Sequence, residues 1–530
     1  MDVNERLEYL DREYLSDFDV SDVDIHANIE RQAAFDKPVY ETKPYAITED
    51  ESLEDNTYLS YNAVIGTSVD AKLYLAFQIL DYALVMTPGA PVKQALLDAG
   101  ISTDVYSSYE TSLYQPVYSI VAKNSNSKEQ DRFVSVINDT LEKLVKDGIN
   151  ERTIEAGINY YEFKYREADY GPYPKGLMYY LTMMDSWLYD ETKPFIHIEA
   201  GDTFDELKKN ARNGYFEKLI KEYLLDNNHK SIISLVPEYG LEKEKEQKEA
   251  DKLAEYKSTL TNDELEELVK KTKELKEYQD TPSSQEDLEK IPMLELSDIK
   301  REPAKDYNDV KSVDGIKIVH HNIFTNKIAY INMSFDTKCV PDELIPYMGL
   351  LGSTLSLMDT KNYTYPELTN EININCGGLA TGTALYSDKV DFSKNTIVYE
   401  VKSKALYEKV PFVLGMMEEI MYNTRFDDYK RLKEIIARIK SRLEASLMGQ
   451  GHSIAMLECC AQFSESAYYS DILRGYKYYE FIKKLDEEFE QNKTQIVDKL
   501  NKLVGYIFNK DNVIAVSYTH LRAHETPEHL

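Results

Sequence analysis

An internal repeat constrains this chain more than any other feature. The order strand, buried helix, strand, amphipathic helix, several further helices and a closing strand occurs twice, roughly 270 residues apart. In the first pass, residues 56–66 (NTYLSYNAVIG) partly alternate apolar and polar side chains and end in turn-formers, which predicts a strand. Thr67 and Asp70 stand at capping-box spacing before 73–86, a run too apolar for a surface helix and therefore expected to be buried on most sides. Pro88, Gly89 and Pro91 end it. A second helix at 93–99 stops at Gly100, a second strand covers 117–123, and an amphipathic helix at 130–146 closes on Asp147-Gly148. Asn150 can cap the next helix; further helices are expected around 177–188 and 204–224, and 231–236 is the closing strand. In the second pass, 328–336 answers the first strand, 344–357 the buried helix, 397–402 the second strand and 407–421 the amphipathic helix. Residues 426–447 answer 150–166, and 512–514 begin the closing strand. The pattern predicts an α+β protein with two copies of one domain, each an antiparallel-rich sheet with helices on one face.

The segments outside the copies read differently. Residues 7–19 (LEYLDREYLSDFD) place Leu7, Leu10 and Tyr14 at helical spacing with nothing before them to pack against, like the last helix of another domain. The stretch holding Pro38, Pro44 and DESLED reads as a linker. Residues 241–290 are the most charged part of the chain, and two helical stretches meet there at the capping box Thr261-Asn262-Asp263-Glu264. Their apolar positions (Leu253, Leu260, Leu265, Leu268, Val269, Leu275) give only a thin stripe per helix. A coiled-coil dimer needs sustained heptads, so a charged helical hairpin acting as a spacer is expected instead.

Charge narrows the partners. With 62 Lys and Arg against 93 Asp and Glu, the net charge of −31 repels phosphate and argues against nucleic acid, while favouring cationic ligands such as basic peptides. No apolar run approaches the roughly 20 residues of a spanning helix, and Asp2 and Glu5 spoil a signal-peptide reading, so a cytoplasmic protein without a membrane partner is expected. Four Cys in so long a chain do not make a disulfide scaffold.

The candidate chemistry is thin. His320 and His321 lie on an expected strand, where neighbours face opposite sides, so one should be packed and one exposed. Cys459 and Cys460 sit on a helix and diverge by about 100°, which suggests buried packing residues. Gly377-Gly378-Leu379-Ala380-Thr381-Gly382 lacks the G-K-[ST] ending of a phosphate loop and reads as a turn entering a strand. The tail 517–530 (SYTHLRAHETPEHL) holds three of the nine His, but His524 and His529 match neither H-E-x-x-H nor H-x-x-E-H, and Pro527 breaks the helix such motifs need. That string is also the in-frame translation of a transposase-type sequencing adapter, so the native sequence is expected to stop near Ile514.

Several blocks together resemble one family. These are 91–100 (PVKQALLDAG), 155–177 with its READYGPYPKGL ending, Trp187-Leu188-Tyr189-Asp190, 335–355, and Cys376-Gly377-Gly378-Leu379. In this order they resemble the pitrilysin/insulinase superfamily of zinc metallopeptidases, in its presequence-protease and falcilysin branch. The resemblance implies four homologous α+β domains, two per half, joined by a helical hairpin and closing around a chamber where unfolded peptides are cut. On that map residues 1–35 end the first domain, 36–239 form the second, 240–299 the hinge hairpin and 300–514 most of the third, with 515–530 not native. The family's zinc site, H-x-x-E-H plus a distal Glu, belongs to the first domain, and its substrate-gripping Arg and Tyr to the fourth. Neither is matched here.

The resemblance therefore implies a fragment of a zinc-dependent metalloendopeptidase, supplying chamber walls and hinge for peptide substrates. Zinc would belong to the full-length parent, and no catalytic, cofactor-binding or metal residue is assigned in this chain, which is expected to be inactive alone. The missing first and fourth domains would be its partners. The alternative is a non-catalytic peptide-binding or scaffold subunit that pairs with a separate zinc-bearing chain.

Overall fold

Side-chain alternation decides which face of each strand goes inside. The computed structural model describes residues 2–19, 29–291, 293–302, 308–325, 327–391 and 394–519. The first copy contains strands β1 (Val39–Ile47), β2 (Thr57–Val64), β3 (Asp104–Glu110), β4 (Val117–Ser125) and β5 (Lys230–Tyr239). In β2, Thr57, Leu59, Tyr61 and Ala63 are buried, while Tyr58, Ser60, Asn62 and Val64 on the other face are only half-buried. The sheet order is β1-β5-β2-β4-β3, with β1 and β5 parallel and the other pairs antiparallel.

The second copy contains β6 (Asn308–Val313), β7 (Ile316–Asn322), β8 (Ile328–Asp336), β9 (Leu379–Ser387), β10 (Asn395–Leu406) and β11 (Val513–Thr519), in the order β6-β7-β11-β8-β10-β9. Without β6, which forms a hairpin with β7, the two orders coincide strand for strand. Even the one parallel pair, β7 with β11, falls where β1 and β5 stand in the first sheet. The repeat predicted from the sequence is thus a repeat of topology, and the fold is α+β in both copies.

Helices cover one face of each sheet. In chain order the first copy and its approach carry α1 (Val3–Glu13), α2 (Ala71–Asp81), α3 (Pro91–Asp98), α4 (Gln130–Asp147), α5 (Glu151–Glu167), α6 (Lys175–Trp187), α7 (Gly201–Asn210) and α8 (Tyr215–Leu219). None of α1 is buried, as its lone amphipathic stripe suggested. α2 is apolar all round and continues into a π-helical turn, Tyr82–Met86. By length and composition, 71–98 is long and apolar enough to cross a membrane, contrary to the expectation that no run is. Yet 67% of its apolar window is buried inside the fold, so it is a core element here. Its own Phe77 and, from other elements, Tyr61, Tyr118, Phe133 and Phe216 lie in one cluster, each fully buried aromatic contributing roughly 1.5–3 kcal/mol through burial.

Three local expectations need correction. Residues 39–47, read as linker, form β1; Pro44 hid the signal, but a sheet-edge strand tolerates a residue without an N–H. The cap of α2 is Asp70, whose carboxylate accepts from the Leu73 N–H at 3.0 Å, and not Thr67. The helix expected at 204–224 is broken at Gly214, whose φ of +69° is left-handed, and resumes as α8 and a second π-helical turn, Ile220–Leu225.

Between the copies stand α9 (Leu241–Thr259), α10 (Asn262–Asp280) and α11 (Gln285–Glu289), with no buried residue in any of them. Thr261 and Glu264 form the predicted capping box, the Thr261 N–H donating to Glu264 Oε2 at 2.8 Å. The second copy is covered by α12 (Ile345–Thr354), α13 (Tyr365–Asn375), α14 (Val410–Asn423), α15 (Tyr429–Gly449), α16 (Gly451–Cys460), α17 (Glu465–Arg474), α18 (Tyr476–Glu487) and α19 (Phe489–Ile507). α12 lies close on β9 because Gly352 has no side chain. A Cβ there would meet the Gly382 Cα at 3.1 Å.

The copies also pack on each other. Asn370 on α13 donates to Thr153 Oγ1 on α5 at 3.0 Å, Asn373 donates to the Tyr82 hydroxyl at 2.6 Å, and Arg152 pairs with Glu371. Phe163 fills the space that Gly377 leaves open.

Candidate functional site

The sheet face away from the helices is where this chain presents chemistry. In the second copy the register sets Asn332, Lys402 and Ala380 side by side across β8, β10 and β9, with Ser334, Glu400 and Gly382 in the next row. Glu400 is only 5% exposed, although it lies on this face. Its carboxylate pairs with Lys402 at 2.5 Å and accepts from Asn332 Nδ2 at 2.8 Å and the Tyr386 hydroxyl at 3.0 Å. Burial pushes its pKa up, but the bonds from Lys402, Asn332 and Tyr386 outweigh it and hold the carboxyl below its usual value. Glu400 therefore stays ionised, and Tyr386, raised by burial and by Glu400, stays a neutral donor.

These rows border a cleft of about 550 Å³. Tyr330, Asn332, Tyr386, Lys402 and Lys404 line it, and Gly378, just before β9, and Ala380 on β9 add nothing larger than a methyl group. One lining residue, Asp169, comes from the first copy, so the cleft straddles the junction. Beside it Glu167, at the end of α5, receives Lys404 Nζ at 2.6 Å and the Tyr330 hydroxyl at 2.9 Å. The cleft offers ammonium and phenol donors, carboxylate acceptors and aromatic rings, and no activated nucleophile. Its donors, acceptors and rings suit an extended polar chain.

Of the residues singled out in the sequence, Gly377, Gly378, Leu379 and Ala380 border this cleft, whereas the histidines and cysteines do not. His320 and His321 are both half-buried, correcting the packed-and-exposed expectation: His320 Nδ1 lies 2.9 Å from Ser517 Oγ, and His321 stacks on Tyr518. Cys459 is exposed and Cys460 half-buried, so neither is the buried packing residue expected. Gly377 and Gly378 do form the turn that enters β9. β11 runs on through Thr519, beyond Ile514, while His524, Pro527 and His529 lie outside the described residues. The Glu400 row was missed. Its signal was a carboxylate between valine and tyrosine neighbours in IVYEVK, where strand alternation already sets it opposite the buried side chains.

Among the described residues, no group of three His, Cys, Asp or Glu is placed to hold a metal ion. The described residues do not fit a catalytic zinc, and no step is assigned to one.

The family follows from comparison with known proteins. Residues 235–485 match the family model described as Peptidase M16 (subfamily C) associated, and residues 1–161 match Peptidase M16 inactive domain. Protein HypA of Clostridium perfringens (strain 13 / Type A) is 38% identical over 518 residues, covering 98% of this chain and 53% of that protein. Presequence protease 1, chloroplastic/mitochondrial, of Arabidopsis thaliana is 30% identical over 489 residues, covering 90% of this chain and 45% of the relative. The mitochondrial presequence protease of Yarrowia lipolytica is 24% identical over 492 residues, covering 92% and 48%. The chain belongs to the pitrilysin/insulinase superfamily of metallopeptidases, in its presequence-protease branch. It spans about half the length of the curated relatives it matches.

Proposed function

We propose that this chain supplies chamber walls and the hinge of a cytoplasmic, zinc-dependent metalloendopeptidase that degrades unfolded peptides in an enclosed chamber. The zinc site would lie in sequence outside it. The supporting observation is the pair of topologically matched sheets, the second with a polar face that borders the cleft, joined by a hairpin whose helices have no buried residue. A wall of this kind holds many sequences weakly, through hydrogen bonds and aromatic contact, and leaves bond cleavage to groups elsewhere. The missing first and fourth domains would complete the enclosure, and peptides would be the ligands.

The test is the genomic DNA upstream of codon 1. The proposal expects an open frame that continues upstream and encodes H-x-x-E-H. A stop codon with a ribosome-binding site directly before Met1 would overturn it. The chain would then be a non-catalytic peptide-binding subunit that pairs with a separate zinc-bearing chain.

A further inference from the structure

We infer that a small inorganic anion of chloride size sits between the two copies, held by Lys93 of the first and by Arg431 and Arg438 of the second. The inference is independent of any peptidase role. Arg431, Arg438 and Arg442 recur on α15 at spacings of seven and four, which puts them on one helix face. That face meets the start of α3, where Lys93 lies, and the entry to β3, where Thr103 and Asp104 lie. The groups border a partly enclosed space of about 30 Å³.

Charge in this space is unbalanced. Lys93, Arg431 and Arg438 line it with only Asp104 and Glu434 to offset them, in a chain whose net charge is −31. Arg431 is 8% exposed; its Nε donates to the Leu357 carbonyl at 3.1 Å and its Nη1 to Glu434 at 3.0 Å. Its Nη2 is buried with no hydrogen-bond partner among the described residues. Lys93 Nζ donates to the Val105 carbonyl at 2.6 Å, which leaves two of its three protons unassigned. Burial, then Arg431 and Arg442, push Arg438 down to about 10, and burial lowers Lys93 as well. Cations crowded this way in a low dielectric are stabilised most directly by a negative charge among them.

The volume selects the ligand. A water needs roughly 10–15 Å³ of such space, so the cavity admits one monatomic ion but not phosphate with its shell of oxygens. Such an ion would also tie the copies together, because its donors come from both.

The test uses the full chain. Crystals soaked in bromide should give an anomalous peak bordered by Lys93, Arg431 and Arg438. The melting temperature in chloride should exceed that in gluconate of equal ionic strength by about 2 °C or more, gluconate being too large to enter. Arg438→Met should abolish the difference, and Lys93→Met serves if that variant does not fold. A junction without bromide, or a chloride effect that survives in the variant, overturns the inference.

Discussion

As pH falls from 6.5 to 4, the first copy should lose about 3 kcal/mol of stability through His197 alone. His197 is 2% exposed, stacks on Tyr74 with ring centroids 3.9 Å apart, and approaches the Ser68 carbonyl with Nε2 at 2.8 Å. Its Nδ1 is buried without a partner among the described residues. Burial depresses its pKa to about 4, against the Ser68 carbonyl, which raises it. The sign follows from linkage. Above the unfolded value of 6.5 both states are neutral; below it the unfolded chain takes a proton that the native state refuses, until pH reaches about 4. Asp185, which accepts from the Tyr74 hydroxyl at 2.8 Å, has its pKa raised by burial and so works in the opposite direction. The difference between wild type and His197→Phe isolates the histidine, because the replacement ring can keep the stack and cannot titrate. Fluorescence of Trp187, the chain's one Trp, reads the unfolding of this copy. Parallel pH profiles for the two proteins would contradict the assignment.

Glu167→Ala should cost about 2 kcal/mol and separate the unfolding of the two copies. The Glu167 side chain is 6% exposed, and Lys404 donates to both of its oxygens, at 2.7 and 2.6 Å. Removing the carboxylate leaves the Tyr330 hydroxyl and a largely covered ammonium without their acceptor. Lys404 is 29% exposed, so water recovers part of the loss. Calorimetry should turn one heat-absorption peak into two, while Glu167→Gln, which keeps an acceptor, falls between. A single peak at the wild-type temperature would show that the copies are held by other contacts.

The sequence was most legible where structure is local. β2 alternates as its residues do, α2 is apolar all round and buried, and Thr261 caps α10 as its four-residue box requires. Order and spacing also revealed the repeat, because each element is recognisable from within. β1 was not legible, because its partner is β5, with Val39 opposite Ser231, and Pro44 interrupts its pattern. The cleft escaped for the same reason. Asp169, Tyr330, Tyr386 and Lys402 are brought together only by sheet register and by the packing of one copy on the other. The arginines of α15 recur on one face in plain view, yet their spacing does not reveal that Lys93 stands opposite.

Hydrolysis of an unstructured peptide by the purified full chain, supplied with zinc, is the most direct measurement of whether this portion carries walls and hinge without the chemistry. A wall predicts no cleavage, with or without chelator. Cleavage that zinc supports and a chelator abolishes would contradict it, and would place a metal site within this chain.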